Sequence, residues 1–339
     1  MKKIGKRLGF AVAALGVAGA QGIASPAQGA PRAATAPTVI TDVPGAAQLE
    51  DINDRGDVVG FWYDPTKSTR SVSYQGFIRF ADGSRTEFTD PTGTWPRSIG
   101  VAVNRRGAVA GNFTRPRGGV TPPRAAFFWS ARTGVVMLPP VDGETFLEAT
   151  DIDDDGRVLV NGRGAHSYLY DSTSGTYEKL PSLGGAEEAV GMNDVGDIVG
   201  YATTPGVDAH HAVIWRGREH TITDLHGALP GDSFARSIND KGEIVGVGYL
   251  PENNVLFWGS ATTPAIRLGL GSADQINNRG CIVGRTAAGP AGAWLVRKGE
   301  VFTSSITPTG SSFLSVNKHG VIATDNGTDP VLTTGCPER

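Results

Sequence analysis

The stretch Ile52-Asn53-Asp54-Arg55-Gly56-Asp57-Val58-Val59-Gly60 is the first of seven copies of one pattern: Asn-x-x-Gly, then an apolar pair, then a second Gly. Successive copies begin 38 to 51 residues apart, with a mean spacing of 44 residues. The anchors of the other copies are Asn104/Gly107, Asp153/Gly156, Asn193/Gly196, Asn239/Gly242, Asn277/Gly280 and Asn317/Gly320. Self-similarity at this period is typical of propellers, solenoids and other repeat arrays.

Each repeat unit contains four short apolar runs, which we interpret as four strands named A, B, C and D. In the fourth unit these runs are residues 189–192, 197–201, 212–215 and 221–225. An Asn side chain can bond to the backbone two or three residues on, and a Gly three residues later can take the left-handed conformation of a type I turn with a bulge. The pattern therefore predicts an A–B hairpin turn, with Gly56, Gly196 and Gly242 at positive φ.

The third run of six of the seven units carries aromatic residues at matched positions, such as Trp215 and Trp258. Such matched aromatics predict packing between neighbouring sheets. No helical periodicity of useful length follows residue 30. The fold class is therefore predicted to be all-β.

The two ends of the chain predict how the array closes. Residues Thr38 to Val43 resemble a D strand but precede the first A strand, and the seventh unit ends with its C strand near Leu332. The N-terminal strand can complete the last sheet, and closure of this kind removes free sheet edges. We predict a seven-bladed β-propeller of four-stranded blades, closed by the N-terminal strand, as a single domain over residues 31–339.

The repeat units resemble the bacterial extracellular HAF repeat family, named for a His-Ala-Phe tripeptide at the start of the third strand. His211-Ala212-Val213 and His166-Ser167-Tyr168 stand at that position, and Ile-Asn-x-x-Gly-x-Ile-Val-Gly is the family's other hallmark. The chain departs from the pattern where Val160 and Thr324 replace the second Gly. The resemblance, over residues 38 to 335, implies export and a propeller-like fold, and it implies no particular chemistry.

Composition narrows the cellular location and the partners. Residues 1–30 hold four cations, no acids and an apolar run too short to span a bilayer, which predicts a secretory signal peptide. The formal charge of −3 becomes more negative without those cations, which argues against a nucleic-acid partner. No later apolar run has spanning length. We expect a secreted, extracellular monomer without a transmembrane segment.

Three alternating carboxylates, Asp151, Asp153 and Asp155, precede Gly156 in the third unit. Carboxylates in this pattern can surround a calcium ion, although an acid is missing at the twelfth loop position, which is Gly162. The alternative is an ordinary A–B turn with a solvated acidic face. Calcium is the one cofactor that the sequence suggests.

Cys281 and Cys336 are the two cysteines of the chain. An exported protein with an even number of cysteines usually pairs them. Both are expected toward the same face of adjacent units, so we predict a disulfide, with two free thiols as the alternative.

Irregular loops point to a binding face. The longest B–C connections belong to the first two units, and B–C and D–A connections emerge on one face of the predicted propeller. The candidate binding residues are Trp62, Tyr63, Arg70, Tyr74, Trp95, Arg97, Arg115, Arg117 and Arg124. The alternative is that these residues belong to loops that tolerate insertions and have no binding role.

These features favour a non-enzymatic binding protein for an extracellular protein or a cell-envelope glycan. An extracellular glycan hydrolase or lyase, with acids near the central channel, and a structural spacer are the alternatives. Buried, mutually close titratable groups in the channel would favour the enzyme. Exposed aromatic residues on the loop face would favour the binder.

Overall fold

The computed structural model describes residues 37–43, 47–64, 73–115, 123–207, 209–217, 219–249, 251–289, 291–306 and 314–337, and these residues contain strands and turns but no helix. The predicted signal peptide, Arg70 and Arg117 lie outside the described residues. Among the described residues, no helix is long and apolar enough to cross a membrane. The all-β prediction is therefore confirmed.

The described strands form six antiparallel sheets, five of four strands and one of seven. Four of these sheets correspond to the first four repeat units. Their strands are β2 (Ala47–Ile52), β3 (Val58–Asp64), β4 (Ser73–Arg79) and β5 (Arg85–Glu87); β6 (Arg97–Val103), β7 (Val109–Thr114), β8 (Arg124–Ser130) and β9 (Gly134–Met137); β10 (Leu147–Ile152), β11 (Arg157–Gly162), β12 (Ser167–Asp171) and β13 (Thr176–Lys179); and β14 (Glu187–Met192), β15 (Ile198–Ala202), β16 (His211–Arg216) and β17 (Thr221–Asp224).

The fifth and sixth units share the seven-stranded sheet, which differs from the prediction of separate four-stranded blades. Its strands are β18 (Ser233–Ile238), β19 (Ile244–Tyr249), β20 (Asn253–Trp258), β21 (Ile266–Ile276), β22 (Cys281–Thr286), β23 (Ala291–Arg297) and β24 (Glu300–Ser305). The first part of β21 pairs with β20 and the second part pairs with β22. The last strand of the fifth unit therefore runs directly into the first strand of the sixth.

The last sheet joins the two ends of the described chain. It contains β25 (Ser315–Val316), β26 (Val321–Asp325), β27 (Pro330–Thr334) and β1 (Thr38–Val39). Thr38 pairs with Leu332, and the Ile40 N–H donates to the Pro330 carbonyl at 2.9 Å. The predicted pairing of the N-terminal strand with the strand that contains Leu332 is confirmed.

The hydrophobic core is divided among neighbouring units. Seven clusters of buried apolar side chains occur in the described residues, and each combines side chains from two successive units or from the last and first units. Ala323 of β26 packs in one cluster with Leu49 and Phe77 of the first unit. Trp215 and Trp258 have no exposed surface. The prediction that third-strand aromatics pack between sheets is confirmed.

The repeated motif forms the predicted turn. Gly56, Gly196 and Gly242 have φ values of 87°, 91° and 78°. In the first unit, the Asn53 Oδ1 accepts hydrogen bonds from the Arg55 and Asp57 N–H groups, both at 3.0 Å. The Asn side chain therefore stabilises the turn from inside.

The same Asn side chains link neighbouring units. In six of the seven turns the Asn Nδ2 donates to the backbone carbonyl of the anchor residue in the next unit, at 2.8 to 3.2 Å. The sixth of these bonds runs from Asn317 to Asn53. We call this series the asparagine ring; it is interrupted at Asp153, whose carboxylate instead accepts from Arg157 Nε at 2.6 Å.

The predicted disulfide is present. Cys281 and Cys336 are bonded, with 5.7 Å between their Cα atoms. Both half-cystines pack against the apolar cluster between the sixth and seventh units. The bond ties the C-terminal segment to the preceding sheet.

Candidate functional site

A shared irregularity of the A strands builds a central cavity. Six A strands (β2, β6, β10, β14, β18 and the second part of β21) carry a β-bulge at the same position, three residues before the Asn or Asp of the turn. A bulge leaves one residue unpaired and re-aims its side chain. The bulged residues are Glu50, Val101, Thr150, Val190, Arg236 and Asp274. All six line one cavity of about 460 Å³, together with Leu314 and Ser315 before β26.

Carboxylates dominate the polar part of this cavity, and three of them also tie neighbouring units together. Asp51 accepts a hydrogen bond from the Val103 N–H at 2.9 Å and lies 2.6 Å from Ser315 Oγ. Asp151 accepts from the Met192 N–H at 2.8 Å. Asp274 accepts a hydrogen bond from the Leu314 N–H of the seventh unit at 3.3 Å. These three side chains therefore have a structural role that does not depend on a ligand.

Burial raises the pKa values of three carboxyl groups that line the cavity. It raises the pKa of Asp151 to about 8, although the Met192 N–H bond opposes the shift. It raises the pKa of Glu50 to about 7, with a further increase from the Asp51 charge and a decrease from Arg124. It raises the pKa of Asp274 to about 6. The cavity therefore contains groups that change protonation near neutral pH.

Two arginines line the cavity close to carboxylates. Arg124 forms an ion pair with Glu148, and Arg236 lies close enough to Asp274 to lower the pKa of that carboxyl against the effect of burial. The Nε atoms of both arginines are buried and have no hydrogen-bond acceptor among the described residues. A buried donor without an acceptor costs free energy, and a ligand oxygen could accept from it.

A second feature lies on the face where B strands connect to C strands and D strands connect to the next A strand, which we call the loop face. There, three guanidinium groups lie over aromatic rings of successive units. Arg97 Cζ is 5.1 Å from the Tyr74 ring centre, and Arg115 Cζ is 4.5 Å from that of Trp95. Arg163 Cζ lies 5.2 Å from the centre of a further ring. The members of this Arg–aromatic row are Tyr63, Tyr74, Trp95, Arg97, Arg115, Phe146 and Arg163.

The loop that carries Trp95 is held by Asp90. The Asp90 Oδ2 accepts hydrogen bonds from the Thr94 and Trp95 N–H groups at 2.7 and 2.9 Å. Burial alone would raise the pKa of Asp90, but the hydrogen bonds from Thr92, Trp95 and Thr94 hold it below its usual value. Trp95 is therefore presented in a defined position and is half-buried.

The structure brings together some of the predicted binding residues and separates others. Tyr63, Tyr74, Trp95, Arg97 and Arg115 belong to the Arg–aromatic row. Arg124 points into the central cavity. Trp62, a predicted binding residue, packs partly buried against the core between the last and first units, with its Nε1 buried. Trp62 therefore contributes to packing between these units, and its binding role stays a prediction.

The three carboxylates of the suggested calcium site are engaged separately. Asp151 lines the cavity, whereas both oxygens of Asp153 accept hydrogen bonds within its own turn, from the Asp155 and Arg157 N–H groups and from Arg157 Nε. Asp155 is exposed, with Oδ1 3.7 Å from Arg106. Across the described ranges no group of three or more His, Cys, Asp or Glu residues is arranged to hold a metal ion. Strand β10 ends at Ile152, so Asp151 lies on the strand whereas Asp153 and Asp155 lie in the turn that follows, which explains the separation.

Sequence reasoning missed a small pocket at the fourth and fifth units, which we call the aromatic pocket. It has a volume of about 200 Å³, and its walls are Tyr201, Phe234 and Tyr249. Glu188 and Arg236 provide its polar groups. Phe234 occupies an A-strand position that is aromatic only in the fifth unit, so this departure from the repeat is the signal that could have indicated the pocket.

No known protein family and no curated protein matches the chain. Several solved structures resemble it at 11% sequence identity. Virginiamycin B lyase from Staphylococcus aureus has a TM-score of 0.58 over 88% of this chain and 98% of that chain. A chain of the mitotic checkpoint complex has a TM-score of 0.55, with 94% and 99% covered.

The WD40 repeats of RRP9 have a TM-score of 0.50, with 11% identity and 78% of this chain and 91% of that chain covered. WD40 repeats form the blades of β-propellers. Likeness at this identity concerns the fold and carries no assignment of activity. The protein therefore has a β-propeller-like fold.

Proposed function

We propose that this protein is an exported, non-enzymatic β-propeller that binds a cell-envelope glycan through the Arg–aromatic row. The observation that carries the proposal is the position of Arg97 and Arg115 over the aromatic rings of Tyr74 and Trp95. Attraction between a guanidinium and the face of an aromatic ring restricts the orientation of the side chain, and N–H donors at the edge of the guanidinium can then reach a ligand. Such a row suits a ligand rich in hydrogen-bond acceptors, and carboxylate-bearing sugars match it best.

The proposed architecture is a closed ring of seven blades. Three observations support it: the seven clusters between units, the cavity lined by all seven units, and the Asn317 to Asn53 bond of the asparagine ring. The strand β21 then belongs to two adjacent blades.

Export is supported by the Cys281–Cys336 disulfide, since disulfides persist in oxidising compartments. We propose that the mature protein is secreted as a monomer. Detection in the culture medium of its source organism, with a mass that lacks residues near the N-terminus, would support secretion. Light scattering of the purified protein would report a dimer if the monomer proposal is wrong.

Binding to trigalacturonic acid tests the proposed ligand class by calorimetry, with a glycan array to widen the search. Arg115→Ala should weaken binding by about 1 to 3 kcal/mol, because Arg115 is exposed and its charge is lost. Affinity should fall with added salt, since exposed ion pairs are screened. Arg132→Ala is the matched control, because Arg132 is exposed in a turn on the opposite face.

Trp95→Ala is a less specific test, because Trp95 also packs against the core between the first and second units. We expect this variant to lose both affinity and thermal stability. Equal binding by the parent and Arg115→Ala would contradict the proposal. Capture of a protein but no glycan from the cell envelope would instead favour a protein partner.

A glycan hydrolase or lyase is the second candidate, and one observation favours it. Glu50 is a bulged residue in the central cavity whose pKa burial raises to about 7, a value suited to a general base or acid at neutral pH. New reducing ends or unsaturated sugars, absent with Glu50→Gln, would support this candidate. Unchanged polymers after prolonged incubation would exclude it for the glycans tested.

A further inference from the structure

We propose that the aromatic pocket binds one uncharged hexopyranose ring, at a site separate from the Arg–aromatic row. The proposal shares with the proposed function only the ligand class, carbohydrate. It concerns a different part of the loop face and a different sugar chemistry.

The walls of the pocket provide apolar, rigid surfaces. The Phe234 ring lies 4.8 Å from the Tyr201 ring at an interplanar angle of 74°, and 5.6 Å from the Tyr249 ring at 89°. His210 stacks on Phe234 at 5.2 Å and 30°, which supports Phe234 from behind. The Tyr201 and Tyr249 rings each stand nearly perpendicular to the Phe234 ring, and the three rings form the walls of a compact pocket.

Tyr249 is the ring that remains available to a ligand. Its relative exposure is 44%, high for a large side chain in this fold. It ends strand β19, a B strand, and therefore lies at the loop face. A pyranose ring has an apolar face of C–H groups, and an exposed tyrosine ring offers the flat surface on which that face stacks.

The polar groups match the hydroxyl rim of a sugar. Tyr201 Oη donates to Glu188 Oε2 at 2.5 Å, which fixes the carboxylate beside the rings. Arg236 lines the same pocket, and its buried Nε has no acceptor among the described residues. Glu188 accepts hydrogen bonds and Arg236 donates them, and a hydroxyl does both. Their opposite charges leave no net preference for an ionic ligand.

Size and position complete the argument. About 200 Å³ is below the range of about 300 to 1,000 Å³ typical for drug-sized ligands, so the pocket suits a single ring. Val190 and Arg236 line both this pocket and the central cavity. A sugar chain whose terminal ring occupies the pocket would therefore continue toward the cavity.

Calorimetry and saturation-transfer NMR with maltotriose, cellotriose and chitotriose test this inference, with trigalacturonic acid as the charged comparison. At least one neutral trisaccharide should bind the parent protein, with little dependence on salt. Tyr249→Ala should weaken that binding by tenfold or more, whereas Tyr249→Phe should retain it. Arg236→Gln should weaken it as well. Val195→Ala is the control, because Val195 is an exposed apolar residue in a turn on the opposite face.

The outcomes separate this inference from the proposed function. Failure of all three neutral trisaccharides to bind overturns it, and so does binding that Tyr249→Ala leaves unchanged while the melting temperature is preserved. If trigalacturonic acid binds and depends on Arg115 but not on Tyr249, the proposed function stands and this inference fails. If a neutral trisaccharide binds through Tyr249 while Arg115→Ala has no effect on any ligand, this inference stands and the proposed function fails.

Discussion

The asparagine of each A–B turn serves its own turn and the neighbouring unit at the same time. In the sixth unit, Asn277 Oδ1 accepts from the Arg279 and Cys281 N–H groups, while Nδ2 donates to the Asn317 carbonyl at 2.8 Å. An Asp side chain at this position can provide the acceptor oxygen for the turn, but it has no NH2 group to donate to the next unit. Asp153 therefore interrupts the ring, and Arg157 compensates its charge.

Asn277→Asp should reduce the free energy of unfolding by about 1 to 3 kcal/mol, because a buried carboxylate would face the Asn317 carbonyl without a donor. The residue equivalent to Arg157 is Cys281, so no cation is available there. Denaturant melts measure the change. Asn253→Asp, an exposed site with the same change of charge, is the control. Equal losses for the two variants would refute the role of the ring.

Gly242 isolates the conformational requirement of the turn. It has φ of 78°, and a Cβ at this position would have no atom within 4 Å. Gly242→Val should cost about 1 to 3 kcal/mol through backbone strain alone. Gly242→Asn should cost much less, because Asn tolerates the left-handed region. A Val variant as stable as the Asn variant in denaturant melts would contradict this explanation.

At the scale of elements, the short strand β1 and the residues that follow it contact both the last and the first sheets. Ile40 and Val43, which follow it, are buried in the cluster shared by the last and first units. Asp42 accepts from Arg79 Nε at 2.8 Å, and this hydrogen bond and ion pair lower the pKa of Asp42. The segment therefore covers the edge of β27 and also attaches to the first sheet.

A chain that begins at residue 44 should unfold at a clearly lower denaturant concentration than one that begins at residue 37. Removal of Ile40 and Val43 from the core should cost at least about 2 kcal/mol, and the free edge of β27 should promote self-association. Chemical melts and light scattering measure both effects. Two chains of equal stability, both monomeric, would show that the N-terminal strand is dispensable.

At the scale of the whole molecule, stability should depend on pH through groups that several units bury together. His226 stacks on His211 at 4.0 Å with an interplanar angle of 7°, and its Nδ1 lies 2.8 Å from Ser233 Oγ. Burial and the His211 charge lower the pKa of His226, although Asp224 and Asp232 oppose the shift. The folded state therefore favours the neutral imidazole.

This group should contribute stability that is fully present above its unfolded pKa of 6.5 and lost as pH falls below that value. Between pH 7 and pH 5, the melting temperature of His226→Gln should change more favourably than that of the parent, because the cavity carboxylates with raised pKa values affect both chains equally. His319→Gln, at an exposed turn position, should change as the parent does. Parallel curves for the parent and His226→Gln would rule out this contribution.

The sequence by itself determined the local structure and the pairing of the chain ends. The Asn and Gly of each turn act within five residues, so their pattern predicts the hairpins without knowledge of the neighbours. The D-like strand before the first unit had one complementary partner, the strand that contains Leu332, and Cys281 had one possible partner, Cys336. Both pairings are present.

Only the tertiary structure decided which side chains share a site. A bulge shifts the alternation of six A strands, so Glu50 and Arg236 face the cavity although no local pattern marks them. Trp62 packs partly buried against side chains of the last unit, which the pattern of its own unit does not indicate. The raised pKa of Asp151 needs the burial that surrounding units provide. Contacts of this kind join residues far apart in the chain, and the sequence of one unit carries no information about what the next unit places against it.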